Sequence, residues 1–265
     1  MLKFFRQIRK QNLTKNRISK YLFYAVGEIV LVVVGILIAL QINNWNQQRE
    51  EKQAVRRYLS GLIEDLTDDL AQYNRRGDHA AFKFHSAQHL LLLAGETPVK
   101  LHAGEFVKPL TNNNILWNKS LPDQVDRNFM ATAFLWTVRD VYPVISRSTI
   151  NEMTAAGSFS YLSNKPLKDA ITDYYNELEW RFSQIGKAKT AETIQEWQWS
   201  LAKSGVLVQD ISGIENPLSL ISNNSERIGH LRILIRGAWF RAESLDLMRK
   251  NAQDLIQMIE VELKE

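Results

Sequence analysis

The residues best suited to hold a metal are the two histidines of FHSAQH, His85 and His89. Four positions apart, they fall one turn apart on one helix face, where two imidazoles can reach a single ion. Zinc requires three or four ligands, and His79 lies too far around the helix to be the third, so no metal is assigned. The acidic run Glu64, Asp65, Asp68 and Asp69 reads as a solvated helix face rather than an acid–base pair. The chain contains no G-x-S-x-G, H-E-x-x-H or Walker loop. With no cysteine, it has no thiolate nucleophile, thiolate metal site or disulfide. Trp180, Trp197, Trp199 and Trp239 read as core rather than as a ligand cage. No catalytic or cofactor-binding residue is assigned, no cofactor is implied, and the chain is not read as an enzyme.

The one ionisable group in a setting that demands explanation is Glu28, inside the apolar run KYLFYAVGEIVLVVVGILIALQINNWN. Residues 22–40 are interrupted only by Tyr24 and Glu28 among bulky polar side chains. As a helix they span about 28 Å at ~1.5 Å per residue, close to the hydrocarbon thickness of a bilayer. Thirteen Leu, Ile, Val and Phe residues favour insertion by roughly 4–8 kcal/mol in all, against about 3 kcal/mol or less for an off-centre carboxylate. A cleaved signal would have a shorter apolar core and a small-residue site, whereas Ala39 is followed by Leu40, Gln41 and Ile42. The expectation is an uncleaved transmembrane helix over residues 21–42, with Tyr21, Tyr24 and Trp45 as interfacial anchors.

At ~100° per residue, Gly27, Glu28, Leu31, Gly35 and Ala39 share one face, and Gly35 with Ala39 has the small-xxx-small spacing that lets a second helix approach closely. Glu28 either belongs to such a packing face or sits shallow, hydrated near the inner surface.

The charge is asymmetric. Residues 1–20 hold seven cations (Lys3, Arg6, Arg9, Lys10, Lys15, Arg17, Lys20) and no acid. Removing them from the 33 basic residues leaves 26 against 29 acidic ones, a charge of −3 on everything that follows. The basic balance therefore belongs to the tail and not to a phosphate-binding face, and no nucleic-acid partner is expected. By the positive-inside rule, residues 1–20 are a cytoplasmic tail and residues 43–265 a periplasmic domain. The tail cations are read as fixing orientation; the alternative is a short basic helix with Leu2, Phe5 and Ile8 on anionic lipid.

Beyond the span, Val55, Leu59, Leu62, Leu66, Leu70 and Tyr73 recur at helical spacing, with no turn residue after Trp45 and a candidate break at Gly77. Residues 95–124, with Pro98, Gly104, Pro109, TNNN and Pro122, read as a long connection. Helix is expected over 126–142 and again to about Ala156. Gly157 then stands as a C-terminal stop, and Ser163 or Asn164 with Pro166 as the next start, with Phe159, Tyr161 and Leu162 folding over the joint. One apolar stripe runs across 165–203 through Leu167, Ile171, Tyr174, Leu178, Phe182, Ile185, Ile194, Trp197 and Leu201. After a loop over 204–222, a final helix starts near Asn223 or Asn224, with Asn223 and Glu226 as a capping box. Its seam runs from Ile228 to Leu263, with Arg249 out of character. The predicted fold class is all-α: one N-terminal transmembrane helix followed by an elongated antiparallel helical bundle.

The opening MLKFFRQIRKQNL…NRISKYLFYAVGEIVLVVVGILIALQINNWN resembles the N-terminus of a widespread family of uncharacterised single-pass membrane proteins of Gram-negative bacteria, over Lys3 to Asn46. A second similarity lies at TAAGSFSYLSNKPLKDAITDYY, with Ala156 and Gly157 at the family's S-G position and Leu162 at its usual isoleucine. The resemblance implies an inner-membrane location and no established activity. The functional expectation is an anchored periplasmic interaction or scaffold module. Its partners would be the lipid bilayer and a protein or second copy meeting the transmembrane helix and bundle. The alternative is a sensory module acting through a separate membrane partner.

Overall fold

The structure is a computed structural model describing residues 18–102 and 106–264, with side-chain surroundings from residue 21 onward. The tail cations Lys3 to Arg17, Leu2, Phe5, Ile8 and the loop residue Gly104 lie outside the described residues. Helix accounts for 73% of the described residues. Among the described residues there is no strand, only one isolated bridge between Leu207 and Asp210. The helices are α1 (Ile18–Leu93), α2 (Arg127–Thr137), α3 (Ser148–Ala155), α4 (Lys165–Arg181), α5 (Gln184–Ala202) and α6 (Ser225–Lys264), with short 3-10 turns at Ser158–Tyr161 and Pro217–Leu220. The chain divides into two compact units, Met1–Val55 and Arg56–Glu265, and α1 contributes to both.

In the first unit, the apolar residues of α1 are exposed from Leu22 to Ile42. The helix continues past Trp45 without a turn residue, and its backbone is accompanied by i,i+4 side-chain bonds: the Asn46 amide donates to Glu50 at 2.9 Å and the Gln47 amide to Glu51 at 2.9 Å.

In the second unit the predicted period holds at Leu59, Leu62, Leu66 and Tyr73, which are buried. Gly77 does not break the helix. It is buried, and a Cβ there would lie 2.8 Å from Lys108 Nζ, which itself pairs with Asp78 at 3.1 Å. Packing around that position outweighs the ~1 kcal/mol intrinsic penalty of glycine in a helix.

As expected, no helix lies between Leu93 and Arg127 among the described residues. The segment is tied back by side chains: Gln88 exchanges two bonds with Val99, donating to its carbonyl at 2.9 Å and accepting from its N–H at 2.8 Å. Helix α2 starts where Asp126 accepts from the Phe129 N–H at 2.8 Å. It ends at Thr137, sooner than the pattern to Tyr142 suggested, and residues 138–147 form a non-helical strap leading into α3.

The helix-joining corner is built as the spacing implied. Gly157 adopts φ +71, and Asn164 accepts from the Leu167 N–H at 3.1 Å with a proline in the first turn of α4. Leu162 is buried there, whereas Tyr161 is exposed and Phe159 sits under Lys168.

The stripe across 165–203 belongs to two helices and not one. The chain breaks at Phe182 and Ser183, whose hydroxyl accepts from the Gly186 N–H at 3.2 Å and restarts the helix. The break turns Ile185 out to solvent, while Ile194, Trp197 and Leu201 stay buried. At the start of α6 the cap is Asn224, which accepts from the Arg227 N–H at 3.0 Å; Asn223, at φ 60, precedes it, so the Asn223–Glu226 box does not form. Arg249 turns aside to Asp246 at 2.9 Å, and the neighbouring Met248 is buried in the interior.

α6 packs on both α4 and α5. The side-chain links run in opposite chain order: Ser200 with Arg227, Glu196 with His230, Arg181 with Glu243, Asn164 with Glu262. One apolar cluster gathers Phe82 and Leu90 of α1, Phe129 and Phe134 of α2, Trp197 of α5 and Leu231 and Ile235 of α6. Gly157 is left-handed, a conformation that costs an L side chain roughly 1–2 kcal/mol. Gly157→Ala is expected to lose about 1 kcal/mol in urea denaturation with an unchanged m-value.

Candidate functional site

Gly27, Glu28, Leu31, Gly35 and Ala39 are all exposed on α1, and a Cβ added at Gly27 or Gly35 would meet nothing within 4 Å. Tyr24 and Trp45 are exposed and Tyr21 is half-buried, with Arg49 lying 5.8 Å from the Trp45 ring centroid.

His85 and His89 do share a face, but each ring is committed to a backbone carbonyl. His85 Nε2 donates to Lys108 O at 2.8 Å and His89 Nε2 to Pro122 O at 2.7 Å, which pins the long connection to α1. Burial holds the His85 imidazole below its ordinary pKa, the Lys108 bond opposing that trend. Among the described residues no three metal-ligating side chains come together.

The four tryptophans do not form one core group. Trp197 is fully buried, its Nε1 donating to Thr137 Oγ1 at 2.8 Å. Trp239 is half-buried and donates to Phe106 O at 2.8 Å. Trp180 and Trp199 are 64% and 61% exposed. Periodicity places Trp180 and Trp199 beside buried positions but not at them.

Two polar clusters lie where the pattern gave no warning. The first overturns the reading of the acidic run as a solvated face. Glu64 and Asp68 are exposed, but Asp69 is 1% exposed and takes the inward position between Leu66 and Tyr73, while Leu70 is only half-buried. Gly61 lets α3 come close, since a Cβ there would stand 3.0 Å from Thr149 Cγ2. Arg147, the residue before α3, offers no side-chain cap. The carboxylates of α1 supply what it lacks: Asp69 accepts from the Ser146 N–H at 3.1 Å, and Asp65 accepts from the Ser146 hydroxyl at 2.7 Å and the Thr149 N–H at 3.2 Å. A hydroxyl chain ends on the same acid, Tyr174 donating to Asp69 Oδ2 at 3.3 Å with Tyr73 and Tyr174 2.8 Å apart. Burial raises the Asp69 carboxyl to about 6 despite the bonds from Ser146 and Tyr174. Burial also pushes all three neighbouring phenols, Tyr73, Tyr174 and Tyr175, well above the ordinary tyrosine range.

The second cluster surrounds a small cavity of about 20 Å³, walled by Ala80, Lys83, Asp140, Val141, Thr190, Gly237, Ala238 and Arg241. Lys83 and Arg241 are buried cations. Lys83 Nζ donates to Arg139 O at 2.8 Å, and burial lowers it to about 8, with Asp140 raising and Arg241 lowering it further. Arg241 lies 3.7 Å from the Tyr142 ring centroid and donates to Arg181 O at 3.1 Å. Asp140 accepts from the Val141 N–H at 2.9 Å, and burial raises its carboxyl. Neither the Arg139 nor the Arg249 side chain is part of this wall.

A family of unknown function, DUF6090, matches residues 28–85. The matched segment begins at Glu28 and runs along α1 to His85, taking in Asp65, Asp69 and Lys83. No curated protein and no solved structure matches the chain.

Chemically, the acid–tyrosine cluster can take up one proton near pH 6, and the cavity presents fixed positive charge. Neither holds a nucleophile paired with a base. For Asp69 the folded carboxyl titrates about two units above its ordinary 3.8, so the stability linked to it is complete below about pH 4 and is lost as pH rises through about 6, by up to about 3 kcal/mol. Asp69→Asn, which keeps the acceptor for Ser146, is expected to remove this component. Thermal midpoints of wild type and variant measured from pH 4 to 8 should diverge across pH 4–6 in the variant's favour. Parallel curves would mean that Asp69 titrates as an ordinary surface acid.

Proposed function

We propose that the chain is a single-pass inner-membrane protein with residues 1–20 in the cytoplasm, a span over 21–42 and a periplasmic antiparallel helical bundle over 43–265, acting as an interaction or scaffold module. The observation that carries this reading is the fully exposed apolar length of α1: thirteen large aliphatic and aromatic side chains in nineteen residues face no protein neighbour, a surface that water does not tolerate and lipid does. Seven cations ahead of it and none of the folded unit's excess charge set the proposed orientation. The opposite chain order of the links between α6 and helices α4 and α5 supports the antiparallel arrangement.

The interaction role rests on surface chemistry outside the span. Trp180 borders a groove between α4 and α6 of about 610 Å³, with Tyr174, Leu255 and Met258 among its lining residues. Exposed tryptophan beside an apolar groove is the composition of energetic anchor points at protein interfaces. In the span, the face of Gly27, Glu28, Leu31, Gly35 and Ala39 offers a second helix close approach, so self-association or a membrane partner belongs to the same proposal. Among the described residues no set supports catalysis or calls for a cofactor or nucleic acid.

The second reading, a sensory ligand-binding module acting through a separate membrane partner, is favoured by the charged cavity around Lys83 and Arg241.

A photo-crosslinking residue at Met258, in native membranes, is expected to give a discrete adduct with a protein partner or a second copy. Trp180→Ala should reduce that adduct several-fold while changing stability by less than about 1 kcal/mol, because the ring is mostly exposed. An adduct yield indifferent to Trp180 would contradict the groove as the docking surface.

A further inference from the structure

We propose that the cavity between α1, the strap over 138–147, α5 and α6 binds one small inorganic anion, held between Lys83 and Arg241. The inference goes beyond the anchored-scaffold reading and does not depend on it, because it concerns the second unit alone and is read without any membrane partner.

The argument is first one of charge. Asp140 is the one carboxylate on the cavity wall, and it has three cations as electrostatic neighbours: Lys83, Arg241 and Lys187. Lys187 lies outside, 5.1 Å from the Tyr142 ring centroid, but Lys83 and Arg241 are 6% and 8% exposed. Two buried cations sharing one carboxylate leave an uncompensated positive charge in the interior, an arrangement that is unfavourable unless a counter-charge enters.

The second argument is donor capacity. Lys83 spends one of its three N–H bonds on the Arg139 carbonyl, and Arg241 spends Nη1 on the Arg181 carbonyl. The guanidinium plane is steadied over Tyr142 at 3.7 Å and Phe182 at 5.0 Å, so its remaining donors are held in a fixed direction. The Thr190 hydroxyl is committed to Gly186 O at 2.9 Å; Asp140 accepts from Val141 and keeps acceptor capacity for one of the two cations, so the donors of the other are what an anion would meet.

Size then selects the ligand class. At about 20 Å³ the cavity has room for roughly one water-sized occupant, far below the roughly 300–1,000 Å³ usual for pockets that enclose drug-sized molecules. A halide fits both the charge and the volume as they stand, and a compact oxyanion only with outward movement of the wall; a metal cation is repelled by the two buried cations. Gly237 is exposed at the mouth, and a Cβ there would meet nothing within 4 Å, so the opening is kept by the absence of a side chain.

The test uses the full chain in detergent, with chloride and inorganic phosphate titrated separately against sodium gluconate at constant ionic strength. At least one of the two is expected to raise the thermal midpoint along a saturable curve. Lys83→Met should abolish the rise. Gly237→Leu, which occludes the mouth in open space and leaves both cations in place, should shift half-saturation at least tenfold upward. The proposal is overturned if neither anion gives a saturable rise in the wild-type chain. It is equally overturned if the rise survives both substitutions unchanged, because the ion would then be acting elsewhere on the surface.

Discussion

The constraint on which the rest depends is the exposure of α1 between Leu22 and Ile42. Within one uninterrupted helix the same class of side chain meets two fates: Val30 to Val34 have no protein around them, whereas Leu59, Leu62 and Leu66 are fully buried. Apolar burial stabilises by about 25 cal/mol per Å², so a stretch this apolar left in water would be a standing drive to associate or insert. A helix also satisfies its own backbone, which is what a lipid environment demands. The proposed architecture follows from giving that stretch a solvent that suits it.

The second unit is held by two kinds of contact. Apolar packing of α1, α2, α5 and α6 around Trp197 and Phe134 supplies the bulk of the driving force, while buried polar links fix which segments meet. Asp65 and Asp69 of α1 receive the N-terminus of α3; Arg227 of α6 reaches Leu220 O at 3.1 Å and Ser200 O at 2.5 Å, and also binds Ser204 at the end of α5; His85 and His89 hold the long connection. Each link joins a helix to a segment that has lost its own hydrogen-bond partners at a turn or terminus, which is where a buried polar side chain gains most. The cost is carried by the ionisation states: Asp69 is raised and Lys83 lowered because both sit where charge is poorly solvated.

Much of the fold was legible from spacing. The seam of α1 beyond Val55, the irregular stretch before Asp126, the Gly157 to Asn164 corner and most of the α6 seam follow from periodicity and terminus chemistry that act locally. What escaped was decided by neighbours distant in sequence. Asp69 and Leu70 are equally compatible with a three-to-four repeat; the acid turns inward because Ser146 and Tyr174 wait for it, 77 and 105 residues away. The break at Ser183 lacks glycine or proline, and an unbroken stripe of apolar residues ran across it. The cavity is invisible in sequence because Lys83, Asp140 and Arg241 come from three separate elements, each of which reads alone as an unremarkable surface charge. Sequence named chemistry where residues were close along the chain, and both polar clusters are assembled across it.

The membrane topology is the claim on which the functional account rests, and the absence of cysteine makes it directly measurable. Single cysteines introduced as Gln11→Cys in the tail and Glu192→Cys on the exposed face of α5 report on opposite sides of the proposed span. In intact spheroplasts, a membrane-impermeant maleimide should label the Glu192→Cys chain at once and the Gln11→Cys chain only after lysis, with both migrating at full length. Labelling of Gln11→Cys in intact spheroplasts, protection of Glu192→Cys, or mature protein lacking its first forty residues would contradict it.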